Sequence, residues 1–354
     1  MDNSTKAIRS SNIELLRIFA IFGVISIHYY NYYAINTLGA GDINNYILNF
    51  FQCFSACSVN IFILISGYFM SKKSSVKSEK VFELLLQTII FRELFYLYRA
   101  FFGSLTFTVR DFIIYLLPLN YYVVLYCCVY ILSPYINKLT KSLPIKSFRQ
   151  LVIIIFVLFS VLPTAIDIAQ HLFSVELHGL SPIGHYGSGY GYTVINFIMM
   201  YIIGAYLAKA EFGTKRIPLC LGVSVCVLFL LTVVGIRGGY GYNFSLSYCN
   251  PFLITASVMI FLIFKSISIK PNKVINSAAK ATFTAFLINT MFLERAKIDI
   301  FVQKNPLIMT LHLFACCIII YAASYAVYLI YSSVMGLMLK LFYKKVKFPI
   351  IKCE

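Results

Sequence analysis

Apolar runs of about 20 residues, the length needed to cross a bilayer as a helix, recur along the whole 354-residue chain with short polar segments between them. The pattern predicts ten membrane-crossing helices, at 13–33, 46–70, 82–103, 112–133, 149–167, 192–208, 217–236, 249–269, 276–293 and 306–334. The third run carries charges, and the fourth is interrupted by Pro118 and Asn120. Regular alternation of polar and apolar positions, which a transmembrane barrel requires, is absent. The expected architecture is therefore all-α and polytopic, one membrane domain over 1–354 with no additional soluble domain. The longest polar stretch, about 168–191, is too short to build a core of its own. No internal repeat stands out. The first run is full length and is not followed by a small-residue cleavage site, so a cleavable leader is not expected.

Composition sharpens this picture. The chain is 60% hydrophobic and 12% charged, against about 45–50% and about 25% for a soluble domain. Too little polar surface remains to cover a water-soluble globule. The formal charge of +17 reads as topology rather than as a nucleic-acid footprint, because the basic residues cluster between the apolar runs. With the N-terminus inside, alternating segments place 22 Lys and Arg on the cytoplasmic side and six on the other; Arg17 and Arg92 fall within runs. That asymmetry predicts both termini in the cytoplasm. Most of the ten cysteines lie in apolar runs, and no CxxC pair or Cys/His cluster points to a metal.

The external 168–191 loop lacks Lys and Arg and ends in a Gly- and Tyr-rich stretch from Gly184 to Tyr192; Gly238–Tyr242 is similar. Tyr faces stack on sugar rings while Gly allows close backbone approach, although an interfacial aromatic belt has the same composition.

Ionisable groups inside a span are expensive and point to function. The first run holds Glu14, Arg17 and His28. Arg17 and His28 are eleven positions apart, about three turns, so they share one helix face roughly 16 Å apart along the axis. Glu14 lies on the same stripe. The structural alternative is an Arg that snorkels to the headgroups and a His at the outer interface; the shared face favours a polar passage. Arg92, Tyr96 and Arg99 fall on one stripe of the third run and are expected to face the same interior. The second run ends Ser66-Gly67-Tyr68 and is followed by Lys72 and Lys73.

The segment NIELLRIFAIFGVISIH resembles the opening signature of the acyltransferase-3 family of integral-membrane acyltransferases, an Arg, ten residues and a His, here Arg17 and His28. VNIFILISGYFM is similar to the family's Phe-rich run ending in Ser-Gly-aromatic, here Ser66, Gly67 and Tyr68. FRELFYLYR, anchored by Arg92, is similar to its Arg-aromatic stretch, and LPLNYYVVLYCCVYILSP to its aromatic run closing in Pro, here Pro134. GYTVINFIMMYIIGAYLAK and KATFTAFLINTMFL resemble the sixth and ninth spans of the exopolysaccharide branch. The resemblance runs from about Asn12 to Leu341. Two departures stand out: the chain has no Trp, which the family usually carries near Tyr121, and Asn289 stands where a His is common.

The resemblance implies O-acyl transfer, often of acetyl from acetyl-CoA, to a hydroxyl of a cell-surface polysaccharide or its lipid-linked precursor, by a multi-pass protein of the bacterial cytoplasmic membrane. No resident cofactor is expected, acyl-CoA being a substrate. In that reading His28 is the base, or itself accepts the acyl group, and Glu14 orients Arg17. Arg17, Lys72 and Lys73 hold the donor phosphates, while Arg92, with Tyr96 and Arg99, meets the acceptor or the developing oxyanion. Ser66 and Gly67 line the path. The competing reading, a secondary transporter or a flippase of a lipid-linked glycan, predicts inverted repeats and paired broken helices.

Overall fold

A computed structural model describes residues 10–103, 105–185, 187–238 and 245–353. Lys6, Arg9 and Tyr186, and the Gly239–Tyr242 part of the expected Gly–Tyr patch, lie outside the described residues. The described chain is almost entirely helical. Its helices are α1 (Ser11–Tyr32), α2 (Ile43–Ser55), α3 (Cys57–Met70), α4 (Glu79–Phe102), α5 (Val109–Tyr115), α6 (Tyr121–Ser142), α7 (Ile145–Phe156), α8 (Leu162–Phe173), α9 (Val194–Lys209), α10 (Ile217–Arg237), α11 (Pro251–Ser266), α12 (Lys273–Ala278), α13 (Thr282–Leu293), α14 (Ile298–Phe301) and α15 (Pro306–Lys345). A two-stranded antiparallel ribbon pairs β1 (Ser75–Lys77) with β2 (Ile350–Lys352).

Among the described residues, six helical segments are long and apolar enough to cross a membrane: Ser11–Asn36, Ile43–Met70, Tyr121–Ser142, Ile145–Phe173, Ile217–Arg237 and Pro306–Lys345. Val194–Lys209 and Pro251–Ser266 are shorter apolar helices. The fold is thus that of an all-α, multi-pass membrane protein. The fourth expected run is corrected by the structure. Rather than one helix over 112–133, the chain forms α5, bends over Leu116–Asn120 and continues as α6 to Ser142. The cause is local: Pro118 cannot donate a backbone hydrogen bond, and the Asn120 side chain accepts from Val123 N and starts a new helix. Thr193, Asn250, Asn272 and Asn305 cap α9, α11, α12 and α15 in the same way.

Backbone groups cannot be left unpaired in lipid, so helices meet through small residues. At the crossing of α3 and α9, a side chain on Gly67 would run into the Tyr201 carbonyl, and one on Gly204 into the Leu64 carbonyl. The two glycines thus let each backbone sit against the other, the small-residue packing of membrane bundles.

The bundle has two chemically distinct ends. At one, Ser11 Oγ donates to Asn276 Oδ1 (3.0 Å) and accepts from Asn272 N (2.8 Å), and Asn12 Nδ2 donates to the Phe264 carbonyl (3.0 Å). Lys141, Lys209 and Lys265 donate to the carbonyls of Lys72, Leu143 and Leu207 at 2.6–2.8 Å, and Ser78 Oγ donates to the Pro349 carbonyl (2.6 Å). This basic end joins the start of α1 with the ends of α3, α9, α11 and α15. At the opposite end, Asn44 Nδ2 donates to the carbonyls of Val302 and Lys304, each at 2.7 Å, and Tyr248 N donates to the Tyr190 carbonyl (3.0 Å).

Gly67→Val is expected to force α3 and α9 apart. An overpacked core of this kind costs about 1–3 kcal/mol, to be read as a lower thermal unfolding midpoint in detergent. An unchanged midpoint would mean that the close crossing contributes nothing.

Candidate functional site

A cavity of about 610 Å³ opens among α1, α3, α4, α6 and α13. Its charged walls are Glu14 and Arg17 from α1, Lys80 from the first turn of α4, and Lys280 from the turn before α13. Three cations against one lining carboxylate make it basic, although Lys80 Nζ also donates to Glu83 Oε2 (3.3 Å) on its own helix. Arg17 Nε stands 3.7 Å from Glu14 Oε2, beyond hydrogen-bond range, and is buried without a hydrogen-bond partner among the described residues. Arg17 is thus ion-paired with Glu14 without a hydrogen bond from Nε. Ser66 also lines the cavity; its Oγ donates to the Phe62 carbonyl (2.9 Å).

Toward the opposite end the cavity is bounded by Val24, Val59, Phe62, Tyr122 and Phe286. Tyr122 packs against Phe286 (ring centroids 5.1 Å apart), Tyr126 (6.1 Å) and Phe62 (6.4 Å). The expected polar passage from Arg17 to His28 is thus interrupted. His28 does not line the cavity but lies one turn beyond Val24, on the far side of this aromatic wall.

There His28 Nδ1 meets Asn289 Oδ1 at 2.5 Å. Asn289 is fully buried on α13, and its Nδ2 donates to the carbonyls of Ala285 (2.9 Å) and Phe286 (2.8 Å). Sequence reasoning noted Asn289 as a departure without pairing it with His28; nothing in one sequence signals a contact between residues 261 positions apart.

Beyond His28 stands a group of tyrosines. Tyr32, exposed, packs its ring edgewise on His28 (5.3 Å). Tyr121, exposed at the start of α6, contacts Tyr192 (4.6 Å), which contacts Tyr248 (5.2 Å). The Gly–Tyr loop reaches this place by left-handed turns: Gly191 has φ 76°, and a side chain there would strike Cys249 N and Tyr248. Burial pushes the phenols of Tyr192 and Tyr248 up from their ordinary range, so both remain neutral at physiological pH.

The other expected site residues are elsewhere. Arg92 does not face the cavity: Nη1 donates to the Leu119 carbonyl (2.9 Å) and the guanidinium lies over Tyr115 (5.0 Å), holding the α5–α6 bend. Tyr96 Oη donates to the Thr108 carbonyl (2.9 Å) and accepts from Thr108 N (2.8 Å). Arg99 reaches Glu294 at 3.6 Å, tying α4 to the end of α13. Gly67 serves the α3–α9 crossing. Lys72 and Lys73 are exposed at the basic end; Lys72 borders a separate cavity of about 250 Å³ with Lys141 and Lys209. Lys80 and Lys280, unranked in the sequence among many loop lysines, line the Arg17 cavity instead.

The acyltransferase-domain profile of the acyltransferase-3 family matches residues 10–329, and the chain belongs to that family. It is a membrane acyltransferase, so the transporter and flippase readings fall away. No curated protein matches the chain, and no solved structure matches it.

Since the Tyr96 hydroxyl is spent on Thr108, Tyr96→Phe is expected to loosen the 105–108 turn. The loss of about 1–2 kcal/mol for a buried hydrogen-bonded hydroxyl would appear as a lower unfolding midpoint. A variant as stable as the parent would release Tyr96 for another role.

Proposed function

We propose that this enzyme draws an acyl group, acetyl from acetyl-CoA, from the cytoplasm and transfers it to a hydroxyl of a cell-surface polysaccharide or its lipid-linked precursor, in the cytoplasmic membrane of a bacterium. The observation that carries the reading is the division of the molecule along α1: a basic cavity at one end, a half-buried histidine three turns away, and a tyrosine-lined mouth beyond it. The polyanionic donor belongs at the basic end, where Arg17, Lys80 and Lys280 offer cationic donors to its phosphates. Its extended arm carries the thioester past Tyr122 and Phe286 toward His28. The acceptor sugar stacks on Tyr32, Tyr121 and Tyr192 and presents a hydroxyl to the imidazole.

His28 Nε2 takes the hydroxyl proton as the oxygen attacks the thioester carbonyl. Collapse of the tetrahedral intermediate breaks the carbon–sulfur bond, and the imidazolium returns the proton to the departing thiolate. The products are the O-acyl ester and free CoA thiol, with the histidine neutral again. In this reading the basic end lies in the cytoplasm, with ten crossings and both termini inside. The convergence of Ser11, Lys72, Ser78, Lys209, Lys265 and Pro349 at one end of the bundle supports that alternation.

Four measurements test this reading. Cell-surface glycan from a deletion strain is expected to lack an O-acetyl mass increment, restored by the wild-type chain but not by His28→Ala, since a general base contributes about 10²–10⁴-fold in rate. Near-normal acylation by His28→Ala at equal expression would refute the mechanism. The wild-type rate is also expected to fall as pH drops through the His28 titration, because a protonated ring cannot accept the proton; a flat profile argues against a histidine base.

Replacing Lys80 and Lys280 together by Ala is expected to raise the donor KM about tenfold or more with kcat little changed, while Lys72→Ala with Lys73→Ala leaves it unaltered. The reverse pattern would move the donor site. Reporter fusions after Lys73 and between Glu176 and Ser188 are expected to report opposite sides of the membrane; agreement between them would break the topology.

A further inference from the structure

The Asn289 side chain has two amide hydrogens and one oxygen, and the fold assigns all of them. Both hydrogens are spent on the carbonyls of Ala285 and Phe286, which can only accept. Rotating the amide would set its oxygen against those two carbonyls, so the oxygen faces His28 by exclusion. An amide oxygen cannot donate. The 2.5 Å contact with His28 Nδ1 therefore requires the proton to be on Nδ1, and in the neutral ring that leaves the lone pair on Nε2. Among the described residues no hydrogen bond to Nε2 is found.

We infer that Asn289 is a positioning residue: it fixes His28 in the Nδ1–H tautomer and turns the bare Nε2 toward the tyrosine-lined mouth. The task given to Nε2 rests on the acyl-transfer reading above, whereas the tautomer does not. Asn289 differs from the carboxylate that orients the histidine of a hydrolase triad. It carries no charge at any pH, so the tautomer stays fixed across the working range. It also supplies no counter-ion to the imidazolium, which favours prompt return of the proton to the thiolate.

The remaining titratable and charged groups around His28 are engaged elsewhere or neutral. On α1, Tyr32 lies against the ring and Tyr33 Oη donates to the Thr290 carbonyl (3.4 Å). At the end of α13, Glu294 pairs with Arg99 of α4. From α15, His312 Nδ1 contacts Tyr29 Oη at 2.9 Å, and its ring stacks on Phe301. Tyr121 and Tyr192 complete the mouth from α6 and the Gly–Tyr loop, and Arg17 and Glu14 are about three turns away along α1.

The test uses the full-length protein in detergent micelles with ¹⁵N-labelled histidine, His28→Gln identifying the His28 ring signals by their loss. At pH 8, wild-type His28 is expected to show a protonated Nδ1 and a bare Nε2. In Asn289→Leu the proton is expected to redistribute toward Nε2. In Asn289→Asp, nearly the same shape and still an acceptor, it is expected to stay on Nδ1 while the pH of ring protonation rises by about 1 unit or more.

With acetyl-CoA as donor and the membrane glycan fraction as acceptor, thiol release by Asn289→Leu is expected to drop about 10²-fold in kcat with donor KM unchanged. Asn289→Asp is expected to keep most of kcat with its acid limb at higher pH. A merely structural asparagine would not move that limb. A wild-type proton on Nε2, ring signals indifferent to Asn289→Leu, or an Asn289→Asp pH profile matching the parent would each overturn the inference. Absence of thiol release from the wild type with the expected tautomer present would instead refute the acyl-CoA reading and leave the role of Asn289 standing.

Discussion

The structure depends on the need to enclose a polar stripe on α1 within an apolar solvent. Glu14, Arg17 and His28 cannot face lipid without large cost, and α1 is packed by α2, α3, α11, α13 and α15. Neighbouring helices pair several polar groups of α1: α11 receives Asn12, α12 receives Ser11, and α13 brings Asn289 to His28. The close approach of α3 and α9 through Gly67 and Gly204 draws part of this shell tight, and the cavity of about 610 Å³ beside α1 is basic.

Two functional regions result, separated by an aromatic wall. Phe62, Tyr122 and Phe286 interlock between the cavity and His28. A wall of this kind limits water and ion leakage along a polar path through the bilayer, which a permanently open passage from Arg17 to His28 would permit. In the proposed reaction the donor arm has to pass between these rings.

Much of the frame was legible in the sequence because lipid imposes a strong length rule on apolar runs. The run at 217–236 became α10 almost unchanged, and Arg17 beside Glu14 followed from helical spacing alone. The misreading at 112–133 came from treating hydrophobicity as sufficient where Pro118 and the capping Asn120 decide the chain path. Stripe arithmetic on α4 correctly grouped Arg92, Tyr96 and Arg99 but could not tell which neighbour the stripe meets; the bend at Leu119 and the end of α13 claim it. Lys80 and Lys280 are separated by most of the chain, and only tertiary packing selects them over Lys72 and Lys73. Gly67, prominent in its motif, proved to be about backbone approach.

The ribbon between Ser75–Lys77 and Ile350–Lys352 bears on biogenesis. It joins segments more than 270 positions apart, with Lys77 opposite Ile350, so it forms only after the segment around Ile350 has left the ribosome. Until then the 75–77 segment that leads into α4 has no paired edge. Pairing of the 75–77 segment is therefore a late event in synthesis, one that waits until α5 through α15 have been made.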